Sequence, residues 1–305
     1  MRIVPLAADS LGARSMATLV ETPDVTVVLD PSVRLAPVRY GLPPHPLEEE
    51  RQRALWRTIR DAAKRADVLT VSHYHYDHHN PDAPSIFKGK LAILKDGKFH
   101  INRSQRERAG TFVKALEGYP REVQVADGND LDVGGTEITF SPAVPHGPTD
   151  ELGYVVMTRI AHADDVFVHT SDVLGPPRKA HLSFLLDADP TVLYVDGPMT
   201  HMPENYPAEE TRRSVANLLR VVRGTRVRTL IVDHHALRDR AWRSWMPPLL
   251  EAAEAHDVSV LTASEFAGKA LDPLESRRDE LYGVRAGPGA PDARPAGQGS
   301  AGEDR

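Results

Sequence analysis

Cysteine is absent from the 305-residue chain. Disulfide bonds are therefore excluded, and any metal site would have to use histidine nitrogens and carboxylate oxygens instead of thiolates. Long apolar runs are also missing, and residues 1–5 do not resemble a charged and then apolar leader. These absences predict a cytoplasmic protein that does not act at a membrane.

Positive charge is not in excess either, because 37 lysines and arginines face 43 aspartates and glutamates, and the formal net charge is −6. This balance does not favour a long nucleic-acid footprint, although an acidic protein can still carry a local basic cleft. The apolar fraction of 41% and the length suffice for a substantial core. A small-molecule substrate is thus the favoured partner, nucleic acid is less favoured, and the oligomeric state stays open.

The most informative segment covers residues 71–80 and reads Val-Ser-His-Tyr-His-Tyr-Asp-His-His-Asn. Four potential metal ligands lie within six residues of it: His73, His75, Asp77 and His78. The segment follows an apolar, β-branched run at 67–71, which is typical of a buried strand. A tight turn after that strand can aim the first two ligands at one ion and the last two at a second. Two ions a few ångströms apart are what hydrolytic two-metal chemistry requires, whereas a surface loop that merely happens to be rich in histidine seldom shows this spacing.

Later strand-like runs end on similar residues. His146 follows the run 136–140, Asp172 ends the run 166–172, and His234 follows the run 229–233. His235 competes with His234, and Asp30 ends an earlier run at 25–30. Each residue is a weak signal alone, because a single histidine after a strand is more often a hydrogen-bonded core or surface residue. Together they predict one metal centre.

The pattern His-x-His-x-Asp-His, followed by these residues in the same order, resembles the metallo-β-lactamase-fold hydrolase superfamily over about residues 1–272. The resemblance implies an α+β fold, a four-layer αββα sandwich with metals at the edge where strand ends open. It implies two ligand sets that share Asp172, since a carboxylate has two oxygens and can serve two cations. The first set is His73, His75 and His146, and the second is Asp77, His78 and His234 or His235. His234 is favoured because it comes first after its strand, as the ligand does in most of the family.

Several branches of the superfamily are disfavoured. The absence of cysteine excludes the zinc β-lactamase classes that place a cysteine at the second metal. His75 stands where the oxygen-reducing diiron branch has a glutamate. The stretch between Asp172 and His234 has its own predicted strand and helix, which leaves no room for the inserted domain of the RNA-processing branch.

A narrower resemblance concerns a branch of the superfamily that carries only a placeholder family name and is seen largely in archaeal genomes. The segments that carry it are 35–47, 74–81, 101–106, 171–176 and 233–239. This match sharpens the expected fold and site but adds little about the reaction.

Further residues are assigned supporting roles. Asp30 is expected to support the metal loop from behind its ligands, and His79 to brace that loop. His201 follows a strand and is a candidate proton donor, although a simple loop histidine is an equally good interpretation. Asp77 can also accept a proton from water and orient it. Three residues of a proline-rich loop are candidates for substrate binding: Arg39, Tyr40 and His45.

The predicted function is a metal-dependent hydrolase that uses a metal-bridging hydroxide on a small, anionic ester or phosphodiester. It would hold two divalent ions, zinc first, with manganese or iron as alternatives, because nitrogen and oxygen ligands discriminate weakly among these metals. Two other functions stay open: a nuclease acting on RNA or DNA, and a non-catalytic, metal-stabilised binding protein.

The predicted organisation is one hydrolase domain at 1–272, an extension at 273–286 and a disordered tail at 287–305, where proline, glycine, alanine and serine dominate. An antiparallel meander opens the chain, an amphipathic helix covers 47–66, and strands alternate with helices in the second half. A helix over 242–255 is among the predictions.

Overall fold

The N-terminal half of the chain forms a six-stranded sheet in the computed structural model, which describes residues 1–284. Its strands are β1 (Arg2–Pro5), β2 (Thr18–Glu21), β3 (Thr26–Leu29), β4 (Val68–Val71), β5 (Leu91–Leu94) and β6 (Glu122–Val125). They pair in chain order, antiparallel from β1 to β3 and parallel from β3 to β6. Strand β4, Val-Leu-Thr-Val, is buried along its whole length, as a parallel strand covered on both faces must be.

The remaining strands form a second sheet and one short pair. They are β7 (Asp130–Val133), β8 (Thr136–Phe140), β9 (Val144–Pro145), β10 (Tyr154–Val155), β11 (Thr158–His162), β12 (Asp165–His169), β13 (Val192–Val195), β14 (Thr229–Val232) and β15 (Ser259–Leu261). Strands β9 and β10 pair with each other, and the other seven form a sheet in the order β15-β14-β13-β12-β11-β8-β7. Its β12 to β15 half is parallel, like the β3 to β6 half of the first sheet.

Helices cover the outer faces of both sheets. They are α1 (Pro46–Arg65), α2 (Arg103–Ala115), α3 (Lys179–Ala188), α4 (Ala208–Gly224), α5 (Pro247–Ala255), α6 (Ala263–Phe266) and α7 (Arg278–Leu281). Helices α1 and α2 pack with the first sheet, and α3, α4 and α5 pack with the second. Phe167, on β12, joins the core between the sheets, and its neighbour Val168 joins the core under α3 to α5. The predicted α+β, αββα sandwich is confirmed. None of the helices in residues 1–284 has the length and apolar composition needed to cross a membrane.

Some element predictions were wrong. Strands β5 and β7 and helix α3 were missed. In the case of β5, the reason is that a four-residue apolar run shows no alternation. The helix predicted over 242–255 is split into a 3-10 turn at Trp242–Trp245 and the helix α5. Pro247 begins α5, since proline lacks the N–H that a continuing helix would need and is well suited to the first helical turn.

The predicted C-terminal extension packs on the domain as far as residue 284. Arg278 is fully buried and donates to both carboxylate oxygens of Glu48, at 2.7 and 2.9 Å, and to the carbonyl oxygens of Leu42 and Ala36. A bidentate guanidinium–carboxylate pair satisfies both charges in a site without water. The extension therefore holds the 36–48 loop and the start of α1. The predicted tail at 287–305 lies outside the described residues.

Candidate metal centre

The histidine-rich segment forms a compact turn directly after β4. The backbone N–H groups of His78 and His79 donate to the carbonyl oxygen of His75, at 3.0 and 3.1 Å. At the start of the turn, the N–H and Oγ of Ser72 each donate to an oxygen of Asp30, both at 2.7 Å. Asp30, at the end of β3, thus fixes the point at which the chain leaves β4.

The other candidate residues reach the same edge because the parallel strands β3, β4, β12, β13 and β14 all point their carboxyl ends there. The chain turns abruptly after three of these strands. Asp30, Ser171 and His234 have φ of 47°, 55° and 53°, in the left-handed region. Side chains other than glycine enter that region at a cost, and such conformations cluster at functional sites.

The first group of candidate ligands joins both halves of the molecule. It contains His73 and His75 from the loop after β4, His146 from the loop between β9 and β10, and Asp172 from the loop after β12. One ligand atom from each lies within 4.8 Å of all the others. Oδ2 of Asp172 is 3.6 Å from Nε2 of His73 and 3.4 Å from Nε2 of His146. This spacing matches a common cation contacted by all four side chains.

The second group contains Asp77, His78 and His234, again with one atom from each within 4.8 Å of the others. The remaining oxygen of Asp172, Oδ1, is 3.1 Å from Nε2 of His78 and 3.4 Å from Nε2 of His234. The two oxygens of Asp172 therefore face different groups of ligands.

His235 also faces the centre. Its Nε2 is 3.9 Å from Oδ2 of Asp172, and the two residues form a further group with His234. Only His234 belongs to the group with Asp77 and His78, whereas His235 lies on the side of the oxygen that faces the first group. This geometry favours His234 as the last ligand of the second set, and the role of either residue stays a prediction.

Unpartnered polar atoms test whether these residues fit a cation. Four candidate ligand atoms are buried and have no hydrogen-bond partner within the described part of the chain: Nε2 of His73, His78 and His146, and Oδ1 of Asp172. Buried polar atoms of a folded protein are normally hydrogen-bonded. Four such atoms converging in one place, all nitrogen or oxygen, fit one or more divalent metal ions.

In three of the histidines, the ring nitrogen that points away from the centre, Nδ1, contacts a carboxylate. Nδ1 of His78 is 2.9 Å from Asp30, Nδ1 of His234 is 2.7 Å from Asp9, and Nδ1 of His235 is 3.0 Å from Asp196. Such partners fix the tautomer, so that Nε2 carries the lone pair, and they make the ring more basic.

Asp30 has the supporting position that the sequence predicts, but Asp9 and Asp196 were missed. Asp196 directly follows β13, which is the same strand-end signal that identified Asp172. Asp9 lies in a 3-10 turn at Asp9–Leu11, well past the end of β1, and no local pattern marks it.

The charges of the centre shift its pKa values in opposite directions. Burial opposes ionisation of Asp172, but the histidines around it, His78 first, hold its pKa well below the usual range. Burial likewise opposes protonation of His234, yet the Asp172 carboxylate raises its pKa to about 9. Burial lowers the pKa of His73 well below that of free histidine. For Asp196, burial and the nearby Asp172 carboxylate raise the pKa to about 8.

The residues predicted to support the loop or bind substrate lie in different places. His79 braces the metal loop, because its Nδ1 is 2.9 Å from the carbonyl oxygen of His75. Arg39 is buried, stacks over Tyr40 and donates to the carbonyl oxygen of Arg238. His45 lies instead at the N-terminus of α1, where its ring accepts from the N–H of Leu47. Substrate binding by Arg39, Tyr40 and His45 stays a prediction, with His45 occupied as a helix cap.

His201 is near the cationic side of the centre. Burial lowers its pKa well below the usual value, and the guanidinium groups of Arg39 and Arg238 add to the effect. Its Nδ1 is buried without a hydrogen-bond partner in residues 1–284. A neutral imidazole among arginines can accept or pass on a hydrogen bond, so its predicted role as proton donor stays a prediction.

Comparisons with known proteins agree with this fold. The family model described as a β-lactamase superfamily domain matches residues 13–216. A solved structure of the metallo-β-lactamase fold protein YhfI from Bacillus subtilis superposes with a TM-score of 0.53 at 14% identity, covering 85% of this chain and 94% of that one. An isothiocyanate hydrolase from Delia radicum gut bacteria superposes with a TM-score of 0.50 at 16% identity, covering 82% and 94%. These two likenesses concern the fold alone.

Sequence relatives are much closer than these structures. A UPF0282 protein from Korarchaeum cryptofilum is 46% identical over 284 residues, which is 92% of this chain and 94% of that protein. A UPF0282 protein from Saccharolobus solfataricus is 42% identical over 289 residues, 92% and 93% of the two chains. Both sources are archaeal, as the narrower resemblance implies. The chain therefore belongs to the β-lactamase superfamily and, within it, to the UPF0282 family.

Proposed function

We propose that this protein is a dinuclear metal-dependent hydrolase of a small, anionic ester or phosphodiester. One observation carries the proposal: Asp172 directs Oδ2 at His73 and His146, and Oδ1 at His78 and His234. A carboxylate between two sets of imidazoles is the arrangement by which a protein holds two cations a few ångströms apart.

Two bound divalent ions would supply Lewis acidity, lowering the pKa of water and stabilising negative charge on the attacked group; zinc is the favoured metal, with manganese or iron as alternatives. The protein's own residues orient the reactants. Asp77 would accept a hydrogen bond from the attacking water. Burial opposes its ionisation, but His78 and His234 lower its pKa, so Asp77 serves better as a ligand and acceptor than as a strong base.

The wall beside the second group supports an anionic substrate. Arg39 and Arg238 are both buried there, and together with burial they keep His201 neutral. Guanidinium groups bind phosphate and carboxylate oxygens through paired N–H donors. A phosphodiester or phosphate-bearing ester therefore ranks ahead of a neutral lactone. The acidic net charge of −6 argues against a long polymer such as RNA.

The test combines metal analysis with a substrate panel on the full-length protein. The panel compares bis(p-nitrophenyl) phosphate and cyclic nucleotides with a homoserine lactone and a cephalosporin, before and after removal of metal by a chelator. We expect two metal equivalents, turnover of the phosphodiesters, and loss of turnover on chelation that added metal reverses.

The matched variants Arg39→Met and Arg103→Met separate a substrate contact from bulk charge, because Arg103 is exposed and pairs with Glu107 on α2. Arg39→Met should raise KM for anionic substrates about tenfold or more, and Arg103→Met should not. Preference for the lactone, unaffected by Arg39→Met, contradicts the anionic substrate. Metal binding without turnover on the whole panel favours a binding protein over an enzyme.

A further inference from the structure

Arg238 lies beside the residues of the second group, although its guanidinium is not itself a metal ligand. Its side chain is only 6% exposed. One terminal nitrogen, Nη2, is 3.1 Å from Nε2 of His234 and 3.4 Å from Oδ2 of Asp77. Its Nε donates to Oδ1 of Asp9 at 3.2 Å. The guanidinium thus contacts two of the three residues of the second group, Asp77 and His234.

The contact with His234 uses the atom that a metal ion would need. Nδ1 of His234 is 2.7 Å from Oδ2 of Asp9, and the carboxylate accepts a hydrogen bond from the ring N–H there. In the neutral ring, which is the form that binds a metal ion, Nε2 then carries the only lone pair in the ring plane. That lone pair can accept an N–H from Arg238 or bind a cation, but not both.

Asp9 links the imidazole of His234 to the guanidinium of Arg238. One oxygen faces Nδ1 of His234 and the other accepts from Nε of Arg238. The carboxylate can keep both contacts whether or not Nη2 of Arg238 remains on Nε2 of His234. Arginine stays charged at any pH at which proteins fold. Its positive charge therefore stays fixed in the second group.

Resting on the proposed dinuclear function, we propose that Arg238 competes with the second metal ion for His234 and Asp77. The two groups then load in order. His73, His75 and His146 take the first ion with Asp172, and the second ion must displace Nη2 and approach a fixed positive charge. The opposite role, in which Arg238 mainly supports the second group by holding Asp9, predicts the opposite sign for its removal.

Zinc titration of the metal-stripped, full-length protein tests the competition. The variants are Arg238→Met, which keeps side-chain length without charge, and Arg238→Lys, which keeps a charge near Asp9 but lacks the forked N–H groups. Arg34→Met is the matched control, because Arg34 contacts Asn80 and Asp82 beside the metal loop. Calorimetry measures each dissociation constant, elemental analysis after desalting measures retained zinc, and circular dichroism checks the fold.

The wild-type protein should bind the first zinc ion at least about tenfold more tightly than the second. Arg238→Met should tighten the second ion about tenfold, because one charge-assisted hydrogen bond and one like charge are removed, and should change the first less than about threefold. Arg238→Lys should tighten the second ion by a smaller factor, and it decides the matter if Arg238→Met does not fold. Arg34→Met should leave both dissociation constants unchanged.

Three results overturn the proposal. The first is an unchanged or weaker second ion in the Arg238 variants, which means that Arg238 supports the site. The second is an equal gain in Arg34→Met, which means that bulk charge alone is responsible. The third is the absence of zinc binding in every protein, which also removes the proposed function; the first two leave that function intact.

Discussion

The two ligand groups of the centre differ in what stands behind their histidines. In the second group, Nδ1 of His78 meets Asp30 and Nδ1 of His234 meets Asp9. In the first group, Nδ1 of His73 meets two hydroxyl groups within residues 1–284, Ser72 at 3.1 Å and Ser171 at 3.3 Å.

Negative charge behind an imidazole makes it a stronger base toward protons and metals alike. The pKa values follow this difference, because carboxylates raise those of His78 and His234 despite burial, whereas burial lowers that of His73. The second group thus has the more basic histidines. In the absence of metal, both Arg238 and protons compete for their ring nitrogens. His73 of the first group has a lowered pKa and no arginine contact among those seen in residues 1–284. We expect the first group to bind metal over a wider pH range.

Asp172→Ala removes the residue that the two groups share and should have the largest effect. Activity should fall by about 10³-fold or more, which at 1.36 kcal/mol per factor of ten is about 4 kcal/mol. The second metal equivalent should be lost, because the two cations would no longer have a carboxylate between them. Kinetics and elemental analysis measure this. Asp164→Ala, in the exposed turn between β11 and β12, is the control and should match the wild-type protein. Two retained metals with normal turnover would show that Asp172 does not bridge.

His234→Ala and His235→Ala distinguish the last ligand. His234→Ala should lose the second metal equivalent and keep the first, because only His234 lies with Asp77 and His78. His235→Ala should retain both equivalents. Elemental analysis of the two variants side by side measures the difference. The assignment is reversed if only His235→Ala lowers the metal content.

Asp30→Asn and Ser72→Ala compare the two kinds of support directly. Loss of a carboxylate behind a ligand typically costs about 10–100-fold in metal affinity, so Asp30→Asn should weaken the second ion by that factor. Ser72→Ala should weaken the first ion only about threefold, since a neutral hydroxyl contributes about 1 kcal/mol or less. Zinc titration gives both constants. Equal effects of the two variants would mean that charge behind the imidazole is not what distinguishes the groups.

The pH dependence of stability concerns both groups of histidines at once. In metal-stripped protein, His78 and His234 have raised pKa values, so their stabilising contribution is complete below about 6.5 and is lost as pH rises through about 9 for His234. His73 and His235 have lowered pKa values, so their contribution is lost as pH falls below about 6.5.

The metal-stripped chain should therefore lose on the order of 2 kcal/mol between pH 6.5 and pH 9, and the buried Asp196 carboxyl, with its pKa raised to about 8, should add to this loss. Zinc-loaded protein should not lose stability over that interval, because deprotonation favours metal binding. Urea unfolding at several pH values, with and without zinc, measures both profiles. Parallel profiles for the two forms would contradict the assignment of these histidines to the metal centre.

Local sequence patterns predicted much of the fold and of the candidate metal centre. The turn from 72 to 79 follows a short apolar strand, and its ligand spacing depends only on residues close in the chain, so the sequence predicts it directly. The same strand-end signal selected Asp30, His146, Asp172 and His234 as candidates, and the αββα sandwich, implied by the family resemblance, fits the predicted order of strands and helices. Strand β5 was missed because four apolar residues carry no period.

Tertiary structure alone decided which distant residues meet. Asp9 and Asp233 are more than two hundred residues apart, yet the N–H of Ser10 donates to Asp233 and the carboxylate of Asp9 holds His234. Arg238 is one turn past His234, and its contact with Asp77 depends on how the two sheets pack face to face. Period and propensity describe one strand or helix at a time, so they identify ligands at strand ends. They do not give the distances between the sheets, and these distances decide which charged side chains lie beside the candidate ligands.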